Sequence, residues 1–333
     1  MKWSIIGAGN ISDIFCENLY KQKTSDIISI SSIDKIRLKN FGNKFNIDEN
    51  YRFNNYNDVT KIKDDIVYIG VINSLHKNLI KNLAESNKNI LVEKPSFLSV
   101  KDFDDVVKVI KEKKILFVES MMNLHHPQTS EVFNLIKSGE IGDLINFKHK
   151  FGFDIRKKFL KFFRKNINFY NRLTDPNLGG GSINDLGCYG VSFANKLANL
   201  KGLDNVIKVK KENIIGKTNV DENAKLSISY DNDFHANLEV SFIKNIGCEA
   251  VIEGTKGKII VPDLVKPQDN FKIILKNKTS KVFNFKAGNL YSYIAKDVER
   301  YVKNNLKEAD SIGLNLSEIR KNLILLDEWK KIN

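Results

Sequence analysis

The chain has 333 residues, of which 42% are hydrophobic and 28% are charged, and its formal net charge is +13. That length is comfortable for two domains, and the composition is ordinary for a soluble globular enzyme. No run approaches the roughly 18 apolar residues that a membrane-spanning helix needs, and the apolar run Trp3–Ile6 is too short for a signal peptide.

The positive charge is spread along the chain rather than collected on one face. Lysines are scattered among many Asn and Ile residues, a pattern typical of a coding bias, so we expect no nucleic-acid partner. The three cysteines, Cys16, Cys188 and Cys248, are few and far apart. They indicate reduced thiols in the cytoplasm rather than a disulfide framework or a zinc site.

Short apolar strands alternate with amphipathic helices over the first 120 residues. The predicted elements, in chain order, are strand Trp3–Ile6, helix Asp13–Lys21, strand Ile27–Ile30, helix Ile36–Phe45, strand Asp65–Ile72, helix Leu75–Ser86, strand Asn89–Val92, helix Ser99–Lys113 and strand Ile115–Val118. This alternation implies parallel strands joined by right-handed crossovers, which is a doubly wound sheet.

The pattern changes after about residue 122. Predicted strands are Asn146–Phe153, Lys225–Tyr230, Ala236–Phe242, Glu249–Glu253, Lys258–Val261 and Phe271–Leu275, with helices at about 128–138, 182–200 and 290–305. The fold class is therefore α/β: a doubly wound parallel sheet in residues 1–121, then an α/β domain in residues 122–333. We expect the second domain to be built on an open, mainly antiparallel sheet with one face in solvent or against a partner.

A glycine-rich turn, Gly7-Ala8-Gly9-Asn10-Ile11-Ser12, follows the first strand and precedes the first helix. In a Rossmann turn the first glycine makes the bend and the second lets the backbone approach a pyrophosphate at the helix N-terminus. Ser12 stands at the third position and is small enough for close packing. The motif predicts a dinucleotide site.

Residues after the second strand should select the cofactor. Asp34 favours NAD, because an acid accepts hydrogen bonds from the ribose hydroxyls, but it is equally suited to cap the next helix. Ser32, Lys35 and Arg37 would together hold the 2′-phosphate of NADP. On balance we favour NADP and leave NAD open.

Three further residues suggest acid/base chemistry. Lys94 follows a strand in Val92-Glu93-Lys94-Pro95, and Asp185 and Tyr189 follow three glycines, residues 179–181. Hydride transfer to a carbonyl leaves an alkoxide that needs a proton. A free tyrosine has a pKa of about 10, and a nearby ammonium favours the phenolate and lowers that pKa. The alternative is a Tyr–Asp pair that only packs the domain junction.

The segment that carries Asp185 and Tyr189 is predicted to start a helix at Ser182. Residues at i and i+4 then share one helix face. Gly187 and Gly190 weaken that helix by up to ~1 kcal/mol each relative to alanine. We expect them to mark close approach of another backbone or of a ligand.

Residues 156–172 are unusually basic and aromatic. They would suit a phosphorylated or nucleotide-linked sugar, a membrane surface or a partner subunit, but a helix with one apolar and one basic face is the favoured interpretation. Arg172 is the best anion-binding candidate, and His126 is a second candidate for substrate contact. His125 and His126 are expected to be structural rather than catalytic, and no metal-ligand spacing surrounds them.

Several motifs together resemble those of the Gfo/Idh/MocA oxidoreductases. They are Gly7–Ile11, Val67–Ile69 with Asn73–His76, Glu93-Lys94-Pro95, Glu119–Met122 with His126-Pro127-Gln128, Gly139–Gly142, Gly179–Tyr189 and Ile252–Gly257. Tyr189, where many members have histidine, resembles the branch of dihydrodiol dehydrogenases, xylose dehydrogenases and sugar ketoreductases. Departures from the family pattern are Ile33, Ile72, Asn123 and Leu124.

The resemblance implies a role for each matching residue. It places Gly7, Gly9, Asn10 and Ile11 at the pyrophosphate, Asn73 and His76 along the dinucleotide, and Glu93, Lys94 and Pro95 at the nicotinamide and its ribose. Lys94 and Tyr189 would serve the chemistry, and Asp185 would contact substrate or orient a catalytic group.

The sequence as a whole predicts an NAD(P)-dependent oxidoreductase acting on a hydroxyl or ketone of a sugar, polyol or dihydrodiol. Tyr189 would be the acid/base, assisted by Lys94. We expect a homodimer or homotetramer, because the sheet has an exposed face. Two rivals stay open: a non-catalytic, dinucleotide-sensing regulatory protein, and a sugar-nucleotide dehydrogenase of surface-glycan synthesis.

Overall fold

The computed structural model describes residues 1–156, 158–159, 163–164, 172–203, 205–267, 270–277, 279–285 and 288–331. The chain forms two compact units, one from Met1–His125 with Gly288–Arg320 and the other from His126–Ala287 with Lys321–Asn333. No sequence feature pointed to the return of residues 288–320 to the N-terminal unit. Among the described helices, none is long and apolar enough to cross a membrane.

The N-terminal part of the first unit alternates strands and helices, as the sequence predicts. Its elements are β1 (Lys2–Ile6), α1 (Asn10–Gln22), β2 (Asp26–Ser31), α2 (Lys35–Lys44), β3 (Arg52–Phe53), β4 (Ile66–Ile69), α3 (His76–Glu85), β5 (Ile90–Glu93), α4 (Val100–Lys113) and β6 (Phe117–Ser120). Ser99 caps α4, its hydroxyl accepting from the Asp102 N–H. That cap fixes where the helix begins.

The six described strands of this sheet all run parallel, in the order β3-β2-β1-β4-β5-β6. The predicted doubly wound parallel sheet is therefore confirmed. Strand order reverses between β1 and β4, and ligands of such sheets bind outside the carboxyl ends of the strands at that reversal.

The remaining elements follow in chain order. They are α5 (Pro127–Lys137), β7 (Leu144–Gly152), β8 (Lys158–Phe159), β9 (Phe163–Arg164), α6 (Cys188–Leu200), β10 (Val206–Ile215), β11 (Asp221–Tyr230), β12 (His235–Ser241), β13 (Ala250–Gly254), β14 (Gly257–Val261), β15 (Asn270–Leu275), β16 (Ser280–Asn284), α7 (Leu290–Lys303) and α8 (Leu316–Lys330).

The second unit is built on a mixed sheet, whose described strands lie in the order β10-β11-β12-β7-β13-β14-β15-β16. Only β12 and β7 pair in parallel among them, so the predicted, mainly antiparallel sheet is confirmed. The sequence did not predict β10, β16 or α8. β10 is an edge strand that reads VIKVKKENII, and charged side chains on such edges hide the usual apolar alternation.

Helix α7 belongs to the first unit and packs on α1. The rings of Tyr291 and Phe15 lie 6.0 Å apart, edge to face. The Gln22 side chain donates to the Ser292 carbonyl at 3.2 Å. Phe15 in turn stacks on Tyr68 of β4, with ring centroids 4.0 Å apart. Residues near the C-terminus of the chain therefore complete the aromatic core of the N-terminal unit.

Candidate functional site

The turn after β1 depends on Gly7. Its φ of +102° lies in the region that favours glycine, and a Cβ there would lie 2.7 Å from the Gly70 carbonyl oxygen and 2.8 Å from Val71 Cγ1. The Gly7 N–H donates to the Ser31 carbonyl at 2.8 Å. Ser12 is fully buried, and its hydroxyl lies 3.4 Å from the Gly70 carbonyl, which is the close packing expected at the third motif position.

Gly9 is the N-cap of α1 and has no side chain to accept hydrogen bonds from the first turn of that helix. The first N–H groups of a helix lack intrahelical partners and attract anions. A Cβ on Gly9 would lie no closer than 3.8 Å to its nearest neighbour, the Gly70 carbonyl oxygen. Asn10 is exposed and Ile11 half-buried beside this space. The residues present therefore fit a dinucleotide pyrophosphate.

Asp34 caps α2 in the structure. One carboxylate oxygen accepts from the N–H groups of Ile36 and Arg37, each at 3.0 Å. The other oxygen lies 3.4 Å from the Arg37 guanidinium, and both side chains are well exposed. The Ser32 hydroxyl accepts from the Asp34 N–H at 3.3 Å and is buried. Ser32, Asp34 and Arg37 thus form one cluster beyond β2.

Lys94 follows β5 and lies near two buried carboxyl groups, those of Glu93 and Glu119. Glu93 accepts from the Tyr68 hydroxyl at 2.9 Å, and Glu119 on β6 accepts from the Ser96 N–H at 2.6 Å. Burial raises the pKa of both glutamates, and the positive charge of Lys94 opposes that rise in each. The sequence signalled Glu93 through its motif, but it assigned no role to Glu119.

His76, at the start of α3, is fully buried between two carbonyl groups. Its Nδ1 lies 3.0 Å from the Pro95 oxygen, and its Nε2 lies 3.2 Å from the Val71 oxygen. The ring thereby ties α3 to the segment that carries Lys94. Asn73 lies one short turn earlier and is half-buried. The predicted contacts of both residues with a dinucleotide stay predictions.

The burial of His76 predicts a pH-dependent stability. Burial lowers the pKa of His76 from 6.5 to about 4, so the folded protein binds this proton less tightly than the unfolded chain does. The stability advantage of wild type over His76→Gln should shrink as the pH falls from 6.5 to 4, by up to about 3 kcal/mol. Urea unfolding at each pH, followed through Trp3 fluorescence in a Trp329→Phe background, measures it.

The exposed His235 provides the matched control for that experiment. The free energy of unfolding of His235→Gln should differ from that of the wild type by a nearly constant amount over the same pH range. If the free energies of unfolding of wild type and His76→Gln differ by an amount that does not change with pH, burial does not lower the pKa of this imidazole.

The predicted helix at 182–200 begins as a π-helix, Ile183–Gly187, which continues into α6. Gly187 lies against the indole of Trp329, and Gly190 lies against His149. A Cβ at either glycine would approach its neighbour to 2.9 Å. The expectation of close approach is confirmed, and the nearest neighbours in the structure are side chains rather than another backbone.

Two candidate residues meet in the second unit. Arg172 Nη1 lies 3.6 Å from Asp185 Oδ1, and Arg172 is 55% exposed whereas Asp185 is 15% exposed. An exposed guanidinium beside a half-buried carboxylate can accept an anionic or hydroxylated ligand. Tyr189 follows on α6, is 4% exposed, and meets the ring of Phe151 edge to face with centroids 6.2 Å apart.

The structure places the other candidates of this unit in capping and packing positions. His126 is 1% exposed and caps α5, its Nδ1 accepting from the Gln128 N–H at 3.1 Å. Arg156 forms a two-pronged ion pair with Asp154, with both hydrogen bonds at 2.8 Å. Within the basic and aromatic segment, Lys158–Phe159 and Phe163–Arg164 form the paired strands β8 and β9 rather than the favoured helix. Residues 157, 160–162 and 165–171 lie outside the described residues.

Two family models match the chain. The model for the oxidoreductase family with an NAD-binding Rossmann fold matches residues 1–120, and the GFO/IDH/MocA C-terminal domain matches residues 129–260. The chain belongs to the Gfo/Idh/MocA oxidoreductase family. As a member of this family it is an NAD(P)-dependent oxidoreductase, which favours an enzyme over a non-catalytic sensor.

Several curated relatives of this Gfo/Idh/MocA protein share one name. Trans-1,2-dihydrobenzene-1,2-diol dehydrogenase of Xenopus tropicalis is 28% identical over 330 residues, which cover 96% of this chain and 94% of that protein. The human protein of the same name is 24% identical over 343 residues, with coverage of 99% and 96%.

Solved structures of the Gfo/Idh/MocA fold superpose over nearly the whole chain. Aldose-aldose oxidoreductase from Caulobacter crescentus matches with a TM-score of 0.85 at 18% identity, covering 98% of this chain and 96% of that one. KijD10, a 3-ketoreductase from Actinomadura kijaniata solved with NADP and TDP-benzene, matches with a TM-score of 0.82 at 18% identity and the same coverage. Both superpositions show that this chain shares its fold with those two proteins.

Proposed function

We propose that this oxidoreductase acts on a secondary hydroxyl, or on the corresponding ketone, of a sugar, cyclic polyol or dihydrodiol. The observation that carries the proposal is the Gly7–Gly9 turn at the reversal of strand order, within a chain of this oxidoreductase family. The substrate class is supported by relatives named for a vicinal diol and by a structural neighbour named for aldoses.

The chemistry we propose needs one proton and one hydride for each turnover. A bound nicotinamide supplies or accepts the hydride. Tyr189 gives a proton to the developing alkoxide or takes it from the alcohol, and the Lys94 ammonium assists by favouring the phenolate. Asp185, paired with Arg172, orients the substrate hydroxyl. The buried Glu93 and Glu119 lie close enough to Lys94 for its positive charge to oppose the rise of their pKa values.

We propose NADP as the preferred cofactor. The support is the cluster beyond β2, where Arg37 is exposed next to Ser32 and Asp34. One Asp34 oxygen is engaged at the helix cap and the other lies 3.4 Å from the Arg37 guanidinium, so a 2′-phosphate would bind Arg37 in competition with that oxygen. A rotated Asp34 bonded to ribose hydroxyls would favour NAD instead.

The test is a kinetic panel with trans-1,2-dihydrobenzene-1,2-diol, D-xylose and myo-inositol, each with NADP⁺ and NAD⁺. We expect turnover with at least one of the three, at a lower KM for NADP⁺ than for NAD⁺. Arg37→Ala should raise the KM for NADP⁺ about tenfold, a loss of about 1.4 kcal/mol, and leave that for NAD⁺ unchanged.

Lys39→Ala supplies the control, since Lys39 is exposed on the same helix. It should leave both KM values unchanged. An Arg37→Ala variant with an unchanged KM for NADP⁺ would contradict the NADP assignment, and inactivity across the panel with both cofactors would contradict the substrate class.

One observation favours a second candidate, a sugar-nucleotide dehydrogenase of surface-glycan synthesis. Arg172 presents an exposed guanidinium next to Asp185, and the KijD10 neighbour was solved with a nucleotide derivative, TDP-benzene. Competitive inhibition of the panel reaction by UDP or TDP, lost in Arg172→Ala, would favour this candidate over a free sugar or diol.

We further propose a cytoplasmic homodimer or homotetramer. The support is the widely spaced free cysteines together with exposed apolar side chains on the eight-stranded sheet, Ile145 on β7 and Ile214 on β10. Light scattering of the purified protein measures its mass and distinguishes one, two or four chains.

A further inference from the structure

Asp221, the first residue of β11, lies under the glycine turn of the second unit. It is 8% exposed. Its Oδ2 accepts from the Ser182 hydroxyl and from the Ile183 N–H, both at 2.7 Å. Gly181 has a φ of +111°, and a Cβ there would collide with Asp221 Oδ1. The carboxyl group therefore fills the space that a side chain on the turn would otherwise take.

The two groups held by Asp221 are the start of the π-helix Ile183–Gly187. Asp185 lies within that π-helix, and Tyr189 follows it on α6. We infer that Asp221 is a positioning residue of this oxidoreductase, fixing the glycine turn and the helix start from which Asp185 and Tyr189 project. The inference rests on the proposed roles of Asp185 and Tyr189.

The charge of Asp221 matters to this role. Hydrogen bonds to an ionised acceptor are shorter and stronger than those to a neutral one, and both contacts of Asp221 lie in the short range. Burial raises the pKa of Asp221 to about 6, and the hydrogen bonds from Ser182 and Ile183 oppose that rise. The carboxyl group is therefore mostly ionised at pH 7 and takes up a proton as the pH falls to about 6 and below.

The sign of the pH effect follows from this pKa. Between the ordinary value of 3.8 and about 6, the folded protein holds a proton that the unfolded chain releases. The contribution of Asp221 to the free energy of unfolding therefore falls as the pH rises through that range. The effect on positioning has the opposite direction: as the pH falls, protonation of Asp221 weakens the hydrogen bonds that hold the helix start. Five other charged groups lie on the neighbouring segments, residues 172–189 and 216–223: Arg172, Asp175, Asp185, Lys217 and Glu222. We expect kcat to decline below about pH 6.

Trp329 offers a direct spectroscopic signal for the helix start, because its indole packs on Gly187, the last residue of the π-helix Ile183–Gly187. The chain has two tryptophans, so protein labelled with 5-fluorotryptophan gives two ¹⁹F NMR signals, which a Trp329→Phe variant assigns. We expect the Trp329 signal of the wild type to titrate with a midpoint near pH 6. Ser182→Ala should move that midpoint to higher pH, because it removes a hydrogen bond that lowers the pKa.

Asp221→Asn should abolish that titration and lower kcat about 10- to 100-fold, the cost of a small misplacement of catalytic groups. The KM for NADP⁺ should not change. Glu222→Gln removes a carboxylate from the next position of β11 and should match the wild type in titration and in kcat.

An Asp221→Asn variant with wild-type kcat, or a Trp329 signal with the same midpoint in Ser182→Ala as in the wild type, would overturn the inference. Ser182→Ala decides the matter even if Asp221→Asn does not fold. A Tyr189→Phe variant with wild-type kcat would refute the proposed function alone, because the ¹⁹F titration does not depend on Tyr189.

Discussion

Replacing Lys94 with alanine, or Tyr189 with phenylalanine, should lower kcat at least ~100-fold, the range for loss of a general acid/base group. Each substitution removes a titratable group and leaves most of the local packing in place. The measurement is steady-state turnover of the best substrate of the panel, at saturating NADP⁺.

The two substitutions should also be non-additive. If Lys94 assists Tyr189, the double variant loses little more activity than either single variant, because groups that act as a unit lose their effect together. Losses that multiply in the double variant would mean that the two side chains act separately.

A matched tyrosine control lies in the second unit. The Tyr230 hydroxyl donates to Asn195 at 2.9 Å in the interior of that unit. Tyr230→Phe should lower the free energy of unfolding by about 1 kcal/mol and leave kcat unchanged. Exposed Lys101 is the control for Lys94. A Tyr189→Phe or Lys94→Ala variant with wild-type turnover would refute the proposed roles.

Gly7→Ala and Gly9→Ala should separate folding from cofactor binding. Alanine at Gly7 meets both an unfavourable φ and the Gly70 carbonyl, so unfolding free energy should fall by more than about 2 kcal/mol. Alanine at Gly9 has ordinary contact distances, and stability should change by less than about 1 kcal/mol. Its methyl group, however, projects into the space proposed for the pyrophosphate.

The measurements are urea unfolding and NADPH titration by energy transfer from tryptophan. Gly9→Ala should raise the Kd for NADPH at least tenfold, about 1.4 kcal/mol. Gly139→Ala is a control for glycine loss elsewhere, since Gly139 has a φ of +75° but no heavy atom within 4 Å of its Cβ position. Wild-type affinity in Gly9→Ala would mean that the dinucleotide does not cross this glycine.

The sequence predicted those parts of the fold whose signals are local. Buried parallel strands such as β4 are continuous apolar runs, and the turn of Gly7 and Gly9 has a fixed position between strand and helix. Edge strand β10 was missed because its charged side chains mask the alternation. The two-residue strand β3 is too short for any periodicity.

The same distinction applies to the candidate site. Lys94, Asp185 and Tyr189 could be proposed from the sequence because they belong to recognisable motifs. Glu119 was noted only as part of a motif and Asp221 not at all, because both make their contacts with partners distant in the chain, Ser96 and Ser182. A lone acid at the start of a strand carries no signal until the fold brings a hydroxyl and an N–H to it.

The packing of α7 on α1 has a consequence for any attempt to divide this protein. Phe15 and Gln22 meet partners that are encoded more than 260 residues later. A gene fragment that stops at residue 121 would expose an apolar helix face to water and invite aggregation. A minimal dinucleotide-binding module would have to join residues 1–125 to residues 288–320 through a new linker. It would therefore be made by deleting the internal residues 126–287 rather than by truncating the chain at one end.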